Sequence, residues 1–271
     1  MSDQEPLLRI VPQFLADDAL SRYIYPVMSR TYYWSDSWEA GLYIALARAG
    51  FISVCSEFPD AGFLLLPQIH DRCAVLDWKD RRVSGSTRAA LRPERLRAAG
   101  ARLRITQGID AVLEGLAACW GEESWFHPPY VGLMRALAAS GKSGGAFPGG
   151  SFNLFAVELL ADGSDKPVAG ELGYAIGSTW TSLSGFMHPD RKKWNNMGKV
   201  QLHALAAVLE STGFSFWNLG MSQMQYKLDL GARVVERRRF LERWLPAREE
   251  EPSQAFLDLA EREIDCAGLF R

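Results

Sequence analysis

The chain has 271 residues, of which 48% are hydrophobic and 23% charged, so it can form one large domain or a small domain packed on a larger one. Its net charge of −2 excludes a protein that binds nucleic acid over its whole surface, but it allows a local cationic patch. The apolar runs are shorter than the ~20 residues of a membrane span, and the start lacks the pattern of a signal peptide. Four scattered cysteines without a CxxC pair favour reduced thiols and no zinc site. We therefore expect a cytoplasmic protein without membrane contact, and a monomer.

The first ~70 residues contain apolar segments separated by turn signals. The predicted elements are helices over Asp18–Met28 and Ser37–Arg48 and strands over Phe51–Cys55 and Gly62–Leu66. We place a boundary after residue 78, which divides the chain into a small N-terminal α+β module, residues 1–78, and a main domain, residues 79–271.

The main domain begins with a cationic stretch, Lys79–Arg104, which holds nine cationic residues and two acidic ones. Such a local excess can attract nucleic-acid phosphates despite a slightly acidic whole. The alternative is a solvated, arginine-rich helical face without a ligand.

The rest of the chain predicts a meander of strands followed by a helix and further strands. The elements are helices over Ile109–Cys119 and Tyr130–Ala139, a glycine-rich turn over Gly141–Gly150, strands over Phe152–Leu160, Val168–Gly177 and Trp180–Met187, a helix over Lys199–Thr212, strands over Phe214–Leu219 and Arg233–Trp244, and a tail helix over Ser253–Ile264. This order is that of a GNAT-like (N-acetyltransferase-like) acyltransferase domain. We thus expect an α/β (α+β) fold with a mixed, largely antiparallel sheet flanked by helices.

Several segments resemble, in consistent order over residues 30–245, the leucyl/phenylalanyl-tRNA–protein transferase family. The segments are Tyr33–Asp36, Ser124–Phe126, Val168–Tyr174, Lys199–Trp217, Leu228–Arg233 and Arg239–Phe240. The resemblance implies an aminoacyltransferase whose partners are an aminoacyl-tRNA and an acceptor protein or peptide N-terminus. It also implies that neither a metal nor another cofactor is required, because the aminoacyl ester is already activated and mainly needs alignment with the amine.

The sequence departs from that family at two motifs. Gly185 stands where the family has a glutamate, and Asn218–Gly220 replaces its Asp-Cys-Gln. In the family these residues hold the aminoacyl group and the attacking amine, so the resemblance implies a divergent relative.

The candidate catalytic residues follow the central strand of the predicted sheet, where a GNAT-like sheet opens to its ligand. They are Asn218, Ser222, Gln223 and Tyr226, together with Glu171 from the meander. Lys227 and Asp229 add an ammonium and a carboxylate to this segment. The alternatives are that the polar residues only cap the backbone and that Glu171 faces solvent.

The candidate binding residues fall into two sets. The substrate-binding set contains three aromatic residues, which can stack on a base or hold an apolar side chain, and two residues of the motif in which Gly185 replaces the glutamate. These residues are Trp34, Trp125 and Phe126, and Ser184 and Met187. The tRNA-binding set is Arg81, Arg82, Arg88, Arg92 and Arg95. Core packing is the alternative for each aromatic residue.

Two other functions remain open. An acetyl-CoA-dependent N-acetyltransferase needs a glycine-rich pyrophosphate loop before its long helix, and the corresponding segment here, residues 191–198, has one glycine. The other is a non-catalytic binding protein that kept the fold.

Overall fold

The computed structural model describes residues 6–142 and 152–270, and its main feature is an eight-stranded sheet with helices on both faces. The strands are β1 (Leu8–Arg9), β2 (Tyr33–Trp34), β3 (Ile52–Phe58), β4 (Gly62–Gln68), β5 (Arg72–Leu76), β6 (Arg102–Thr106), β7 (Phe152–Leu160), β8 (Ala169–Ile176), β9 (Thr179–Met187), β10 (Phe216–Met221), β11 (Arg233–Glu236) and β12 (Glu263–Asp265). The helices are α1 (Asp17–Ala19), which continues as a π-helical turn over Leu20–Ile24, α2 (Ala40–Arg48), α3 (Gly85–Ala90), α4 (Pro93–Ala98), α5 (Asp110–Trp120), α6 (Pro128–Lys142), α7 (Met197–Ser211), α8 (Gln225–Leu230), α9 (Arg237–Ala247), α10 (Gln254–Leu259) and α11 (Cys266–Leu269). Most of the predicted glycine-rich turn, residues 143–150, lies outside the described residues.

The large sheet has the strand order β11-β5-β10-β9-β8-β7-β6-β12. All neighbours are antiparallel except β9 and β10, which run parallel and pair only over Thr179–Thr181 and Phe216–Asn218. Beyond that point β9 continues beside β8 to Met187, while β10 continues beside β5 to Met221. A wedge therefore opens between the two parallel strands, and it exposes backbone in the middle of the sheet. The mixed, largely antiparallel sheet flanked by helices is confirmed.

Strands β7 and β8 are nearly continuous apolar segments because both faces of the sheet are buried. Leu154, Leu172 and Tyr174 pack on one face with residues of α2, α5 and α6, and Trp180 and Trp217 pack on the other with residues of α7. Successive side chains of a strand point to opposite faces, so each strand contributes to both layers.

The N-terminal segment is joined to the sheet by the fully buried guanidinium of Arg237. It donates hydrogen bonds to the carbonyls of Val27 (2.7 Å), Arg30 (3.1 Å), Ile69 (2.8 Å) and His70 (3.0 Å). Strands β3 and β4 form a separate hairpin, whereas β5, which precedes the predicted boundary at residue 79, lies inside the large sheet. The division into two modules stays a prediction.

Three sequence-based elements are wrong in part. The strand over Arg233–Trp244 ends at Glu236, and α9 follows, because Phe240, Leu241 and Trp244 recur at helical spacing and are buried together. The helix over Asp18–Met28 ends at Ile24, two residues before Pro26. The tail helix ends at Leu259 and is followed by β12. Ser253 caps that helix as expected, since its Oγ accepts a hydrogen bond from the Phe256 amide at 3.3 Å.

Within the described residues, none of the helices combines the length and the apolar character that crossing a membrane would take.

Candidate active site

A buried lysine lies at the open end of the wedge. Lys227, in α8, is only 5% exposed, and its Nζ donates hydrogen bonds to the carbonyls of Leu219 (2.5 Å) and Met221 (2.9 Å) at the end of β10. Leu219 is the extra residue of a β-bulge and has no partner in β5, so the ammonium satisfies a carbonyl that the sheet leaves unpaired. Burial lowers the pKa of Lys227 to about 8, although the nearby carboxylate of Glu171 acts in the opposite direction. The ammonium is therefore still the main form at pH 7, and two of its three N–H groups are engaged.

Glu171 is buried beside this lysine and holds a dense set of hydrogen bonds. Its Oε1 accepts from Trp180 Nε1 (3.1 Å) and from the hydroxyl of Ser182 (2.6 Å), and its Oε2 accepts from Gln201 Nε2 (3.3 Å). Burial raises the pKa of Glu171, while these three donors and the charge of Lys227 oppose the rise. The side chain faces α7, and the structure excludes the alternative in which it points to solvent. A carboxyl of raised pKa in a GNAT-like sheet is a candidate general base.

The predicted catalytic residues of the central strand lie around the wedge but differ in their surroundings. Asn218 is buried where β9 and β10 last pair, and there it donates to Thr181 Oγ1 (3.3 Å) and accepts from the Gly220 amide (3.0 Å). Its amide joins the two strands at the apex of the wedge, in line with the backbone-capping alternative. Gln223 is exposed and Ser222 half-buried in the loop that leads to α8.

Tyr226 is half exposed at the mouth of the wedge. The Nζ of Lys227 lies 5.8 Å from the centroid of its ring. Partial burial raises the pKa of Tyr226 to about 12, and the charge of Glu171 adds to the rise. The phenol therefore stays protonated at neutral pH, where it can donate a hydrogen bond to a ligand in the wedge.

The two predicted residues of β9 have different neighbours. Ser184 is half-buried on the part of β9 that has left β10. Met187 instead packs against Gly198 in the first turn of α7, where a Cβ on Gly198 would overlap the Met187 sulfur. Trp120, which the sequence did not single out, donates from Nε1 to the carbonyl of Gly185 (3.0 Å) on the same open stretch of β9.

A cavity of about 220 Å³ lies between α5 and α6, and Gly121, the residue after Trp120, contributes to its wall. Leu113, Val131 and the predicted Phe126 give it apolar walls, while Glu122 and His127 add polar groups. Trp125 packs against Phe126, with ring centroids 4.3 Å apart, and supports this wall from behind.

Trp34 is not brought to the wedge. Its ring lies under the guanidinium of Arg9 (5.5 Å), and its Nε1 donates to the carbonyl of Leu7 (3.1 Å), so it anchors β1 to β2.

The predicted tRNA-binding arginines lie on and before α3 and α4. Arg82, Arg88, Arg92 and Arg95 are exposed, whereas Arg81 is largely buried and pairs with Glu210 at 3.2 Å. The amide of Arg82 donates to the carbonyl of Leu230 (2.8 Å) at the end of α8. Because α8 also carries Lys227, this arginine surface (Arg82, Arg88, Arg92 and Arg95) begins beside the helix that supplies the buried lysine.

Sequence reasoning missed the residues that surround Glu171 and Lys227. Ser182 and Gln201 look like ordinary residues of an amphipathic strand and helix, and His70 has no motif around it. His70 is buried next to Gly220, and burial together with the charge of Lys227 lowers its pKa to about 4. Only the pairing of distant strands brings these groups together. The described residues contain no group of three or more His, Cys, Asp and Glu that could hold a metal ion.

The sheet is antiparallel except for one parallel strand pair, which separates in the middle of the sheet. A long helix lies behind this pair, and titratable groups lie in the gap. Together these features define an acyltransferase of the GNAT type. The family model "Acetyltransferase (GNAT) domain" matches residues 84–228, which is more than half of the chain, and the chain belongs to this family.

One similar solved structure is the crystal structure, at 2.05 Å resolution, of the C-terminal domain (DUF2156) assigned to a lysylphosphatidylglycerol synthetase of Agrobacterium fabrum. The identity is 14% and the TM-score 0.40, and the match covers 71% of this chain and 62% of that chain. No curated protein matches the chain.

Proposed function

We propose that this protein transfers an aminoacyl group from an aminoacyl-tRNA to an amine acceptor, a protein or peptide N-terminus. The observation that carries the proposal is the wedge of a GNAT-family sheet with Lys227 and Glu171 buried at its open end. The acceptor follows from the resemblance to leucyl/phenylalanyl-tRNA–protein transferases, and the donor is supported by two further features of the structure.

The reaction is an aminolysis of an ester. The neutral amine attacks the ester carbonyl carbon, a C–N bond forms, the C–O bond to the ribose breaks, and one proton moves from the nitrogen to the leaving ribose oxygen. Negative charge develops on the carbonyl oxygen during the attack. The ammonium of Lys227, held by two backbone carbonyls and largely buried, can stabilise this charge. Alignment of the two reactants in the wedge supplies the remaining acceleration.

The cavity between α5 and α6 supports a donor that carries an amino acid with an apolar side chain. Its volume of about 220 Å³ exceeds that of an engineered apolar cavity of ~150 Å³ that binds benzene, so one aromatic or branched aliphatic side chain fits. Glu122 supplies a carboxylate for the α-ammonium of the aminoacyl group. Trp120, the residue before the cavity-lining Gly121, contacts β9 at Gly185.

The arginine surface supports a polyanionic donor. Its guanidinium groups are exposed and begin next to α8, so the phosphates of a tRNA bound there lead toward the wedge. Arginines that contact phosphates contribute affinity without sequence preference.

An acetyl-CoA-dependent N-acetyltransferase is the second candidate, because the matching family model describes acetyltransferase domains. The segment that leads into α7 opposes it. Residues 191–198 contain one glycine, whereas a glycine-rich loop is what lets the backbone N–H groups at a helix start hold a pyrophosphate.

The test incubates the purified protein with a set of aminoacyl-tRNAs, each carrying a radiolabelled amino acid, and with peptides that start with Arg, Lys, Asp or Glu. Labelled acetyl-CoA runs in parallel. We expect label from a tRNA bearing an apolar amino acid to appear in one class of peptide. Lys227→Met should lower the rate by at least 100-fold, the cost typical of losing one oxyanion-stabilising donor, whereas the exposed Lys192→Met should not change it. Transfer from acetyl-CoA alone would establish the second candidate.

A further inference from the structure

The three hydrogen-bond donors of the buried Glu171 carboxylate differ in their exposure. Of its three hydrogen-bond donors, Trp180 and Gln201 are buried, while Ser182 is half-buried on β9 directly after the last residue that pairs with β10. Ser182 is therefore the most exposed of the three donors, and it lies where β9 leaves β10.

The hydrogen bonds of Ser182 determine its orientation. Trp217 Nε1 donates to Ser182 Oγ at 2.8 Å, and an indole N–H is only a donor. The Ser182 hydroxyl in turn donates to Glu171 Oε1 at 2.6 Å, a distance typical of a hydroxyl bonded to a carboxylate. A hydroxyl has one proton and two lone pairs. One lone pair of Ser182 thus stays available for a further donor, while its proton already points at Glu171.

We propose that Ser182 is the proton relay between the acceptor amine and Glu171, which acts as the general base. After the amine attacks the acyl carbon, its proton passes to Ser182 Oγ while the Ser182 proton passes to Glu171 Oε1. When the bond between the acyl carbon and the leaving oxygen breaks, the proton returns through the same hydroxyl to that oxygen. Glu171 and Ser182 then regain their starting states. This inference rests on the proposed function for the identity of the reactants.

The charged and titratable groups around Glu171 are consistent with this role. The charge of Lys227 from α8 lowers the pKa of Glu171, and Gln201 from α7 contributes a neutral amide. Tyr226, also from α8, stays a neutral phenol because burial and the charge of Glu171 raise its own pKa. Burial keeps the pKa of Glu171 above its ordinary value, which strengthens it as a base. The carboxylate form is the active one, so the relay loses activity as pH falls through the pKa of Glu171.

The experiment compares Ser182→Ala, Ser182→Thr and the control Ser178→Ala over pH 4–9. Ser178 precedes β9 at its paired end and shares a hydrogen bond with Ser215 (2.8 Å), so its loss removes a similar hydroxyl outside the wedge. We expect Ser182→Ala to reduce kcat/KM about 100-fold or more, which is within the range that general-base catalysis contributes. The same variant should lose the acidic limb of the pH profile. Ser182→Thr should keep the limb, and Ser178→Ala should match the wild type.

Two results would overturn the relay without affecting the proposed function: a wild-type acidic limb in Ser182→Ala, or an unchanged rate. A substrate-free measurement tests it separately. The titration of Glu171, followed by the infrared carboxyl band that is lost in Glu171→Gln, should shift to higher pH in Ser182→Ala because a hydrogen bond to the charged form is removed. An unchanged titration would show that the hydrogen bond on which the relay depends is absent. If the wild type transferred no group from any of the donors, the proposed function itself would be refuted.

Discussion

The burial of Lys227 predicts that the stability of the protein depends on pH. Its pKa falls from the ordinary 10.5 to about 8 on burial, which corresponds to about 3 kcal/mol of disfavoured protonation in the folded state. The unfolded chain therefore binds more protons than the folded one between pH 8 and pH 10.5. Stability attributable to Lys227 rises with pH across this window and is fully present only above it. Below pH 8 the folded protein bears the whole cost.

Lys227→Met removes this cost and also removes the hydrogen bonds to Leu219 and Met221. Each carbonyl left unpaired costs about 1–3 kcal/mol, so the two effects nearly cancel and the variant should be about as stable as the wild type at pH 7. Urea unfolding at pH 7, 8, 9 and 10 measures this, and the wild type should gain about 2.5 kcal/mol of stability over the variant across the series. Lys192→Met is the exposed control. Parallel curves for wild type and Lys227→Met would show that the buried ammonium has an ordinary pKa and would refute the reasoning.

Three further predictions concern the fold and the donor. Arg237→Met leaves two buried and two part-buried carbonyls without their donor, so the free energy of unfolding in urea should fall by about 2–5 kcal/mol. A loss under about 1 kcal/mol would contradict the joining role given to the guanidinium. Gly173→Ala would place a Cβ 2.7 Å from the Trp180 ring and should destabilise by about 1–3 kcal/mol, whereas Gly132→Ala, with open space around it, should not lower the melting temperature. Arg92→Gln should reduce the salt dependence of tRNA binding by about one phosphate contact, a slope change of ~0.7–0.9 in a filter-binding titration, and an unchanged slope would remove Arg92 from the interface.

Secondary structure was predictable wherever one periodicity dominated the segment. The strand over Phe152–Leu160 coincides with β7, and the helix predicted over Lys199–Thr212 is α7, shifted by one or two residues at its ends. The failures came from segments in which two periodicities compete. In Arg233–Trp244 alternation and helical spacing coexist, and the helix forms because it buries Phe240 and Trp244 on the same side. Strands β5 and β6 were missed because β5 has a short apolar core next to charged residues and because Arg104 interrupts the apolar residues of β6.

The candidate site was predictable only in outline. The loop after the central strand and Glu171 could be singled out from polar residues in a strand–loop context, but neither the burial of Glu171 nor its partners followed from the pattern. Ser182 is eleven residues away from Glu171 along the chain and Gln201 is thirty, so no local spacing relates them.

The sequence alone determined the fold class, because the order of elements and their apolar periodicity depend on local residues. It also determined the cationic character of the segment on and before α3 and α4, since composition alone sets charge. Tertiary structure alone decided that Lys227 is buried against the bulge of β10 and that Ser182 joins Glu171 to Trp217 by hydrogen bonds. The physical reason is that burial and pKa depend on the atoms that surround a group in space, and here strand pairing and helix packing bring those atoms from β8, β9, β10, α7 and α8.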